Sequence, residues 1–247
     1  MIAKWRRPRA LQRWHVGVIL GVTGIALCGA YLLILAWGGQ AAYTSALAIN
    51  SKTKSVIVHR AVTTTVFWVG EQASDDNSHI ANVASAWDEQ WQAHYGGVDS
   101  PDARHLYSPS GFTPKENPFY VALPYDDIDD SGQRRPTASL CPNTAKPKQY
   151  SWCKNSWIAI RHGNKVVYAQ WEDVGPYQED DTAYVFGTKQ PRNQIDTKAG
   201  LDVSPAVRDF LNLGDVSRTN WNFVPASSVP AGPWRQIVTI SPGESID

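Results

Sequence analysis

The stretch SWIAIRHGNKVVYAQWEDVGPY, residues 156–177, decides how the rest of this chain is interpreted. Two runs rich in apolar and β-branched residues flank the tripeptide HGN at 162–164, a pattern that predicts a β-hairpin. The second run ends in Glu172 and Asp173, directly before a Gly-Pro turn. Because successive side chains of a strand project to opposite faces, these two carboxylates cannot both serve one cleft. The pattern indicates an acid/base site at a strand end, with solvated loop charge as the alternative.

Further strands are predicted on both sides of this hairpin. Residues 60–71 and 117–127 are rich in β-branched and aromatic residues, and shorter runs follow at 183–187, 221–225 and 234–240. Six or so short strands with a single well-marked helix are typical of a small β-barrel with mixed connections. The predicted fold class is therefore mainly β.

The well-marked helix begins after LDVS. Ser204 fits an N-cap, Pro205 fits the first helical position and Gly214 fits a C-terminal stop. A short amphipathic helix is also predicted around 87–91 inside a long insertion at 72–118. A second long loop occupies 129–150, so the barrel is expected to carry large loop insertions.

The amino-terminal region predicts a membrane anchor. Residues 1–15 contain five of the 23 basic residues and no acid, and residues 16–38 are apolar and uncharged. A span of this kind is about 33 Å long as a helix, and its basic flank is expected to stay in the cytoplasm. We therefore expect a cytoplasmic tail at 1–15, a transmembrane signal anchor at 16–38, a stem at 39–62 and an extracytoplasmic barrel domain at 63–241. The alternative is a signal peptide cleaved after SALA at 45–48.

Composition limits the classes of partner and cofactor. All 23 acidic residues follow residue 40, so the main domain carries an excess of about five negative charges and no basic stripe for nucleic acid. No zinc motif is present, and no cofactor or metal is expected. Cys141 and Cys153 both lie in the exported part, where a disulfide is expected and two free thiols are the alternative.

Two motifs carry a resemblance to a known superfamily. The turn WEDVGPY contains Asp173, Gly175, Pro176 and Tyr177, and AGLDVSPAVRDFLNLG contains Asp202 just before the helix start. With GNKVVYA and TTTVFWVGE, these motifs resemble the double-psi β-barrel superfamily. The nearest likeness is to the rare lipoprotein A family, and remoter ones are to membrane-bound lytic transglycosylase A and the expansins. The family's Thr-Ala-Ala-His segment is replaced here by FYVALPYDD, which carries acids.

The resemblance implies a six-stranded double-psi β-barrel that acts on cell-wall glycan. In the transglycosylase likeness the turn aspartate, here Asp173, is catalytic, and the later one, Asp202, sits beside it. Cleaving a glycosidic bond needs a proton donor whose pKa is raised by burial or by a neighbouring charge. An inverting hydrolase needs a second carboxylate, for which Asp126 and Asp127 are further candidates because they end another strand.

Three aromatic residues are candidates for the sugar-binding surface. Trp171 is placed to supply an apolar wall beside the acids, Tyr177 lies on the turn, and Trp68 flanks a loop where it could stack on a sugar ring. We thus expect a protein that is anchored in the cell inner membrane. Its periplasmic domain is expected to act on peptidoglycan as a lytic transglycosylase or glycan hydrolase. The alternatives are a non-catalytic, expansin-like glycan-binding barrel and an envelope scaffold for a protein partner.

Overall fold

The computed structural model describes residues 56–241, which belong to one compact unit that begins at Val56. The predicted basic tail at 1–15, the anchor at 16–38 and most of the stem at 39–62 lie outside these described residues. Within the described part of the chain, no helix is both long and apolar enough to cross a membrane.

The described chain is built mainly from short β-strands. They are β1 (His59–Val66), β2 (Arg104–His105), β3 (Ser108–Pro109), β4 (Tyr120–Leu123), β5 (Ser156–His162), β6 (Lys165–Val174), β7 (Leu201–Val203) and β8 (Val216–Val224). Six of them close a barrel in the order β1-β7-β4-β6-β5-β8, and β2 and β3 form a separate two-stranded sheet. The predicted class, a mainly β six-stranded barrel, is confirmed.

The barrel combines local and long-range pairing. The predicted hairpin forms β5 and β6, which pair antiparallel from Ser156↔Trp171 to His162↔Lys165. By contrast, β1–β7 and β4–β6 are parallel pairs between strands that are far apart in the sequence. A β-bulge interrupts the β4–β6 register between Val121 and Ala122, so that β6 advances by two residues where β4 advances by one.

Within residues 56–241, three short α-helices and several short 3-10 helices accompany the barrel. The helices are α1 (Trp91–Tyr95), α2 (Thr182–Val185) and α3 (Pro205–Leu211), and the 3-10 helices are Asp75–Asn77, Pro136–Leu140, Ala226–Ser228 and Pro233–Arg235. The predicted start of α3 is confirmed, because Pro205 is its first residue and the Ser204 side chain accepts a hydrogen bond from the Val207 N–H. The helix ends earlier than predicted, at Asn212 in a left-handed conformation rather than at Gly214.

Two predicted strands do not form. Residues 183–187 fall largely in α2, where Tyr184 and Val185 are buried and the Tyr184 hydroxyl donates to the Gly200 carbonyl at 2.9 Å. Residues 234–240 begin inside a 3-10 helix and contribute no strand. The sixth barrel strand is instead the three-residue β7, which was not predicted. The predicted run at 221–225 forms the end of β8, which begins five residues earlier.

Two apolar clusters lie on opposite faces of β4. Val121 and Leu123 point into the barrel core, whereas Tyr120 and Ala122 point outward and contact a second cluster formed with the insertion. The Tyr120 hydroxyl accepts from the Val69 N–H at 3.0 Å and donates to Asp99 at 2.9 Å. The 72–118 insertion is thereby held against the outer barrel wall, and the cleft described below opens between the two.

A disulfide joins Cys141 to Cys153 across a separation of 12 residues, as the sequence predicted. It connects the 129–150 loop to the segment that leads into β5. Cross-linking a loop of this length stabilises the folded state by about 3 kcal/mol in the chain-entropy account.

Candidate functional site

The main cleft has a volume of about 690 Å³ and lies on the outer face of the barrel. One wall consists of residues from β1, β4, β6 and β7, and the opposite wall comes from the insertion and from the loop that precedes β7. All four predicted turn residues line this cleft, namely Asp173, Gly175, Pro176 and Tyr177, and so do Asp202 and Trp68.

Strand register places the two aspartates in one row. Ala122 on β4 pairs with Asp173 on β6 and with Asp202 on β7, and Asp202 pairs with Thr65 on β1. Because paired residues of neighbouring strands project to the same face, these side chains stand side by side in the cleft. Two strand spacings separate Asp173 from Asp202, about 10 Å between their α-carbons. The methyl group of Ala122 is the only side chain between them in this row, which leaves room for a ligand.

The Asp173 carboxyl is buried and keeps its proton to a higher pH than an exposed aspartate does. The residue is only 6% exposed, and burial raises the pKa of its carboxyl from 3.8 to about 7. Hydrogen bonds from the Ala86 and Val174 N–H groups, both 2.8 Å from Oδ1, oppose that rise, and the charge of Asp202 adds to it. Oδ2 accepts no hydrogen bond from the described residues and is therefore the atom left to meet a ligand.

The carboxyl of Asp202 also has a raised pKa. Burial raises the pKa of its carboxyl to about 6, the Thr65 hydroxyl that donates to Oδ1 opposes this rise, and Glu71 adds to it. Glu71 is itself buried, and it accepts a hydrogen bond from Asn82 Nδ2 at 2.7 Å. Two carboxyls with raised pKa values in one cleft are candidates for acid and base roles.

A hydrogen-bonded clasp made of Ser78, Tyr177 and Asp196 ties three loops together at the exposed side of the cleft. Ser78 Oγ lies 2.8 Å from the Tyr177 hydroxyl and donates to Asp196 Oδ2 at 2.6 Å, and Tyr177 donates to the same oxygen. All three residues adopt positive φ angles, of 54°, 59° and 46°. Left-handed backbone is costly for residues other than glycine, and it clusters at functional sites.

The cleft does not include Asp126 or Asp127. Asp126 accepts from Trp87 Nε1 at 2.8 Å and from the Ile128 N–H at 2.9 Å. Asp127 is fully buried and pairs with Arg134, while Ser151 Oγ donates to it at 2.6 Å. These contacts hold the loop after β4 in place. The second carboxylate near Asp173 is Asp202, because β7 rather than the loop after β4 reaches the cleft.

Trp171 also has a different position from the one predicted. It is 0% exposed in the barrel core, packs edge-on against Trp87 at 5.5 Å between ring centroids, and donates from Nε1 to the Asp173 carbonyl at 2.7 Å. It therefore supports the backbone of Asp173 from inside the barrel and does not line the cleft. The neighbouring acid Glu172 lies away from the cleft too, 4.0 Å from the buried Lys154 ammonium, in agreement with strand alternation.

Several cleft residues carried little signal in the sequence. Glu71 and the clasp residues Ser78 and Asp196 come from loops whose course is set by tertiary contacts. Thr65 could have been found, because it lies on a predicted strand at a position that alternates with the buried Thr64.

The described residues contain one group of three potential metal ligands close together, namely Asp127, Cys141 and Cys153. The two cysteines are joined in the disulfide, so neither sulfur is available as a thiolate ligand. The group lies outside the cleft. We therefore assign no metal-binding role to it.

No protein-family model matches this chain, and no curated protein matches it either. Among solved structures, a Streptomyces papain inhibitor (SPI) is similar at 12% sequence identity and a TM-score of 0.28, over 69% of this chain and 98% of that one. A likeness at this level supports no argument about fold or function.

Proposed function

We propose that this protein is a membrane-anchored enzyme that cleaves the glycan of peptidoglycan outside the cytoplasm, with Asp173 as general acid. The observation that supports this most directly is the state of one carboxyl. Asp173 is buried, its pKa is raised to about 7, and its Oδ2 is left free in a cleft large enough for sugar rings. A general acid works best when its pKa lies near the operating pH.

In this proposal Asp173 Oδ2–H donates its proton to the glycosidic oxygen. The bond between that oxygen and the anomeric carbon breaks, its electron pair stays on the leaving oxygen, and an oxocarbenium-like centre develops. In a lytic transglycosylase, a hydroxyl of the same sugar then attacks this centre and returns its proton to the Asp173 carboxylate. Only one carboxyl is needed along this route.

In an inverting hydrolase, water attacks instead, and Asp202 takes its proton. Such enzymes hold their carboxyls about 6.5–9.5 Å apart so that a water molecule fits between them. The placement of Asp173 and Asp202 on strands separated by β4 is compatible with that spacing. The two routes give different products, because the transglycosylase product is lighter than the hydrolysis product by one water molecule.

The proposal also covers the family, the membrane topology and the residues that contact sugar. We place the protein near the rare lipoprotein A family, with a cytoplasmic tail at 1–15, an anchor at 16–38 in the inner membrane, a stem at 39–62 and a double-psi β-barrel at 63–241. Trp68 and Tyr177 are the aromatic residues proposed to contact sugar, since both line the cleft.

The test is release of soluble fragments from purified peptidoglycan by the full-length chain in detergent. Asp173→Asn should lower the rate at least about 100-fold, the usual contribution of a general acid. Asp126→Asn is a matched control, because Asp126 is also partly buried with a pKa raised to about 6 but lies outside the cleft. Full activity of the Asp173→Asn protein would reject the catalytic proposal.

A non-catalytic glycan-binding barrel is the second candidate. This candidate is favoured by the two hydrogen bonds that Asp173 Oδ1 accepts from the N–H groups of Ala86 and Val174. These bonds brace the insertion against β6, which gives Asp173 a structural role. In that case the wild-type protein should bind peptidoglycan without releasing fragments. Binding should then survive Asp173→Asn and fail when Trp68 is replaced by alanine.

A further inference from the structure

A lysine and a glutamate face each other inside the protein, apart from the cleft. The side chain of Lys154 is 0% exposed and that of Glu172 is 2% exposed, and Lys154 Nζ lies 4.0 Å from Glu172 Oε2. Neither this nitrogen nor either carboxyl oxygen makes a hydrogen bond with any described residue. An ion pair at this depth needs further hydrogen bonds to offset the loss of hydration, and the described residues supply none.

The local backbone holds the two side chains together. Glu172 is the extra residue of β6 at the bulge against β4. The Asn155 N–H donates to the Trp171 carbonyl at 2.9 Å, so the residue before Asn155 lies beside the bulge. That residue is Lys154, whose N–H donates to Ser151 Oγ at 3.0 Å and whose preceding neighbour belongs to the disulfide. Among the described residues, Lys154 is the one lysine that is buried.

Burial favours the neutral forms of this pair. A proton that passes from the ammonium to the carboxylate leaves an amine and a carboxylic acid, which cost much less to bury than two charges without hydrogen bonds. Burial raises the pKa of Glu172 from 4.5 to about 8; the charge of Lys154 opposes this rise and Glu116 adds to it. A neutral amine is a nucleophile, and an un-ionised carboxyl group is the electrophile that it can attack.

We propose that Lys154 and Glu172 condense after folding into an intramolecular amide bond. Lys154 Nζ attacks Glu172 Cδ and forms the C–N bond, while an electron pair of the carbonyl moves to its oxygen. When that pair returns, the bond from Cδ to the hydroxyl oxygen breaks. A proton of the amine joins the departing hydroxyl, so one water molecule leaves. Nothing is oxidised or reduced, and no co-reactant is needed.

Proximity and exclusion of water favour this reaction. Groups that one folded chain holds in alignment react with effective molarities of about 10⁵–10⁸ M, provided that the reacting atoms can approach to about 3–3.5 Å. Bond rotations in the long lysine side chain allow that approach. The amide removes both charges from the interior and ties the β6 bulge, directly before Asp173, to the disulfide-bonded segment. This inference does not rest on the proposed glycan function.

Peptide mapping by mass spectrometry tests the bond in the full-length chain after reduction, alkylation and digestion with trypsin. Trypsin does not cut after an acylated lysine, so residues 149–161 should stay in one piece and be joined to residues 166–189. The joined product should be lighter than the sum of the two peptides by one water molecule, and fragmentation should place the link at Lys154 and Glu172. No unlinked 166–189 peptide should remain.

Lys154→Arg is the matched control, because arginine keeps the positive charge but its guanidinium stays protonated and is not a nucleophile. This variant should give the 166–189 peptide unlinked and at its full mass. Unlinked peptides ending at Lys154 in the wild-type digest would overturn the inference and leave a buried ion pair. A link through Lys146, or a water loss in residues 166–189 that persists in Lys154→Arg, would overturn it too. The wild-type digest decides by itself if the variant does not fold, and no outcome bears on peptidoglycan cleavage, which is tested through Asp173.

Discussion

The stability of the folded protein should depend on pH through Asp173, and Asp173→Asn should remove that dependence. The carboxyl has a pKa of about 7 in the folded state against an ordinary value of 3.8, because it is buried. Between these two pH values the folded protein keeps a proton that the unfolded chain has released. The free energy of unfolding therefore falls as pH rises from about 4 to about 7.

The size of this effect follows from the pKa shift. A difference of about three units, at 1.36 kcal/mol for each unit, corresponds to about 4 kcal/mol between acid and mildly alkaline solution. An asparagine at this position has no charge to desolvate, and its side-chain oxygen can still accept the N–H groups of Ala86 and Val174. Asp173→Asn should thus stabilise the protein by about 4 kcal/mol at pH 8 and by close to zero at pH 4.

Urea unfolding followed by tryptophan fluorescence at pH 4, 6 and 8 measures this difference. The other buried acids titrate in both proteins, so the comparison isolates position 173. Glu89→Gln provides the control, since an exposed acid should give no pH-dependent difference. The quantity compared is the difference in unfolding free energy between the Asp173→Asn protein and wild type. If this difference is the same at pH 4 and pH 8, or if the variant is the less stable protein at pH 8, a buried Asp173 that holds its proton is refuted.

Four further outcomes are expected. Fragment release should fall as pH rises through about 7, because Asp173 must be protonated to act as an acid; a rate that stays level up to pH 9 would contradict this role. Asp127→Ala should cost about 3–5 kcal/mol in urea unfolding, because it leaves the charge of Arg134 without its buried partner, whereas the turnover of the folded fraction should not change. Cys153→Ser should lower the free energy of unfolding by about 3 kcal/mol, and a loss that persists when wild type is also reduced would point to packing instead. Tyr177→Phe removes the clasp hydroxyl and should raise KM several-fold with little change in kcat; an unchanged KM would show that the clasp does not shape the cleft.

The sequence alone determined the local parts of this protein. The hairpin of β5 and β6 follows from two apolar, β-branched runs around a Gly-Asn turn, and the start of α3 follows from Ser204 and Pro205. These features depend on contacts within a few residues, where backbone propensity and capping decide the outcome. The position of Asp173 at the end of a strand and on the face opposite to Glu172 was predictable for the same reason.

Closure of the barrel selects the second carboxylate beside Asp173, and within the sequence only the motif resemblance placed Asp202 there. Asp126 and Asp202 both follow or lie on apolar runs, and local sequence does not separate them. The choice depends on β7, a strand of three residues whose order comes from pairing with β1 and β4 and not from its own propensity. The same holds for Glu71, which directly precedes the insertion, and for Ser78 of the clasp, which the insertion brings to the cleft because Tyr120 and its neighbours anchor it on the outer barrel wall. Long-range strand register is set by burial of the core, so the residues that it brings together are visible only once the barrel is closed.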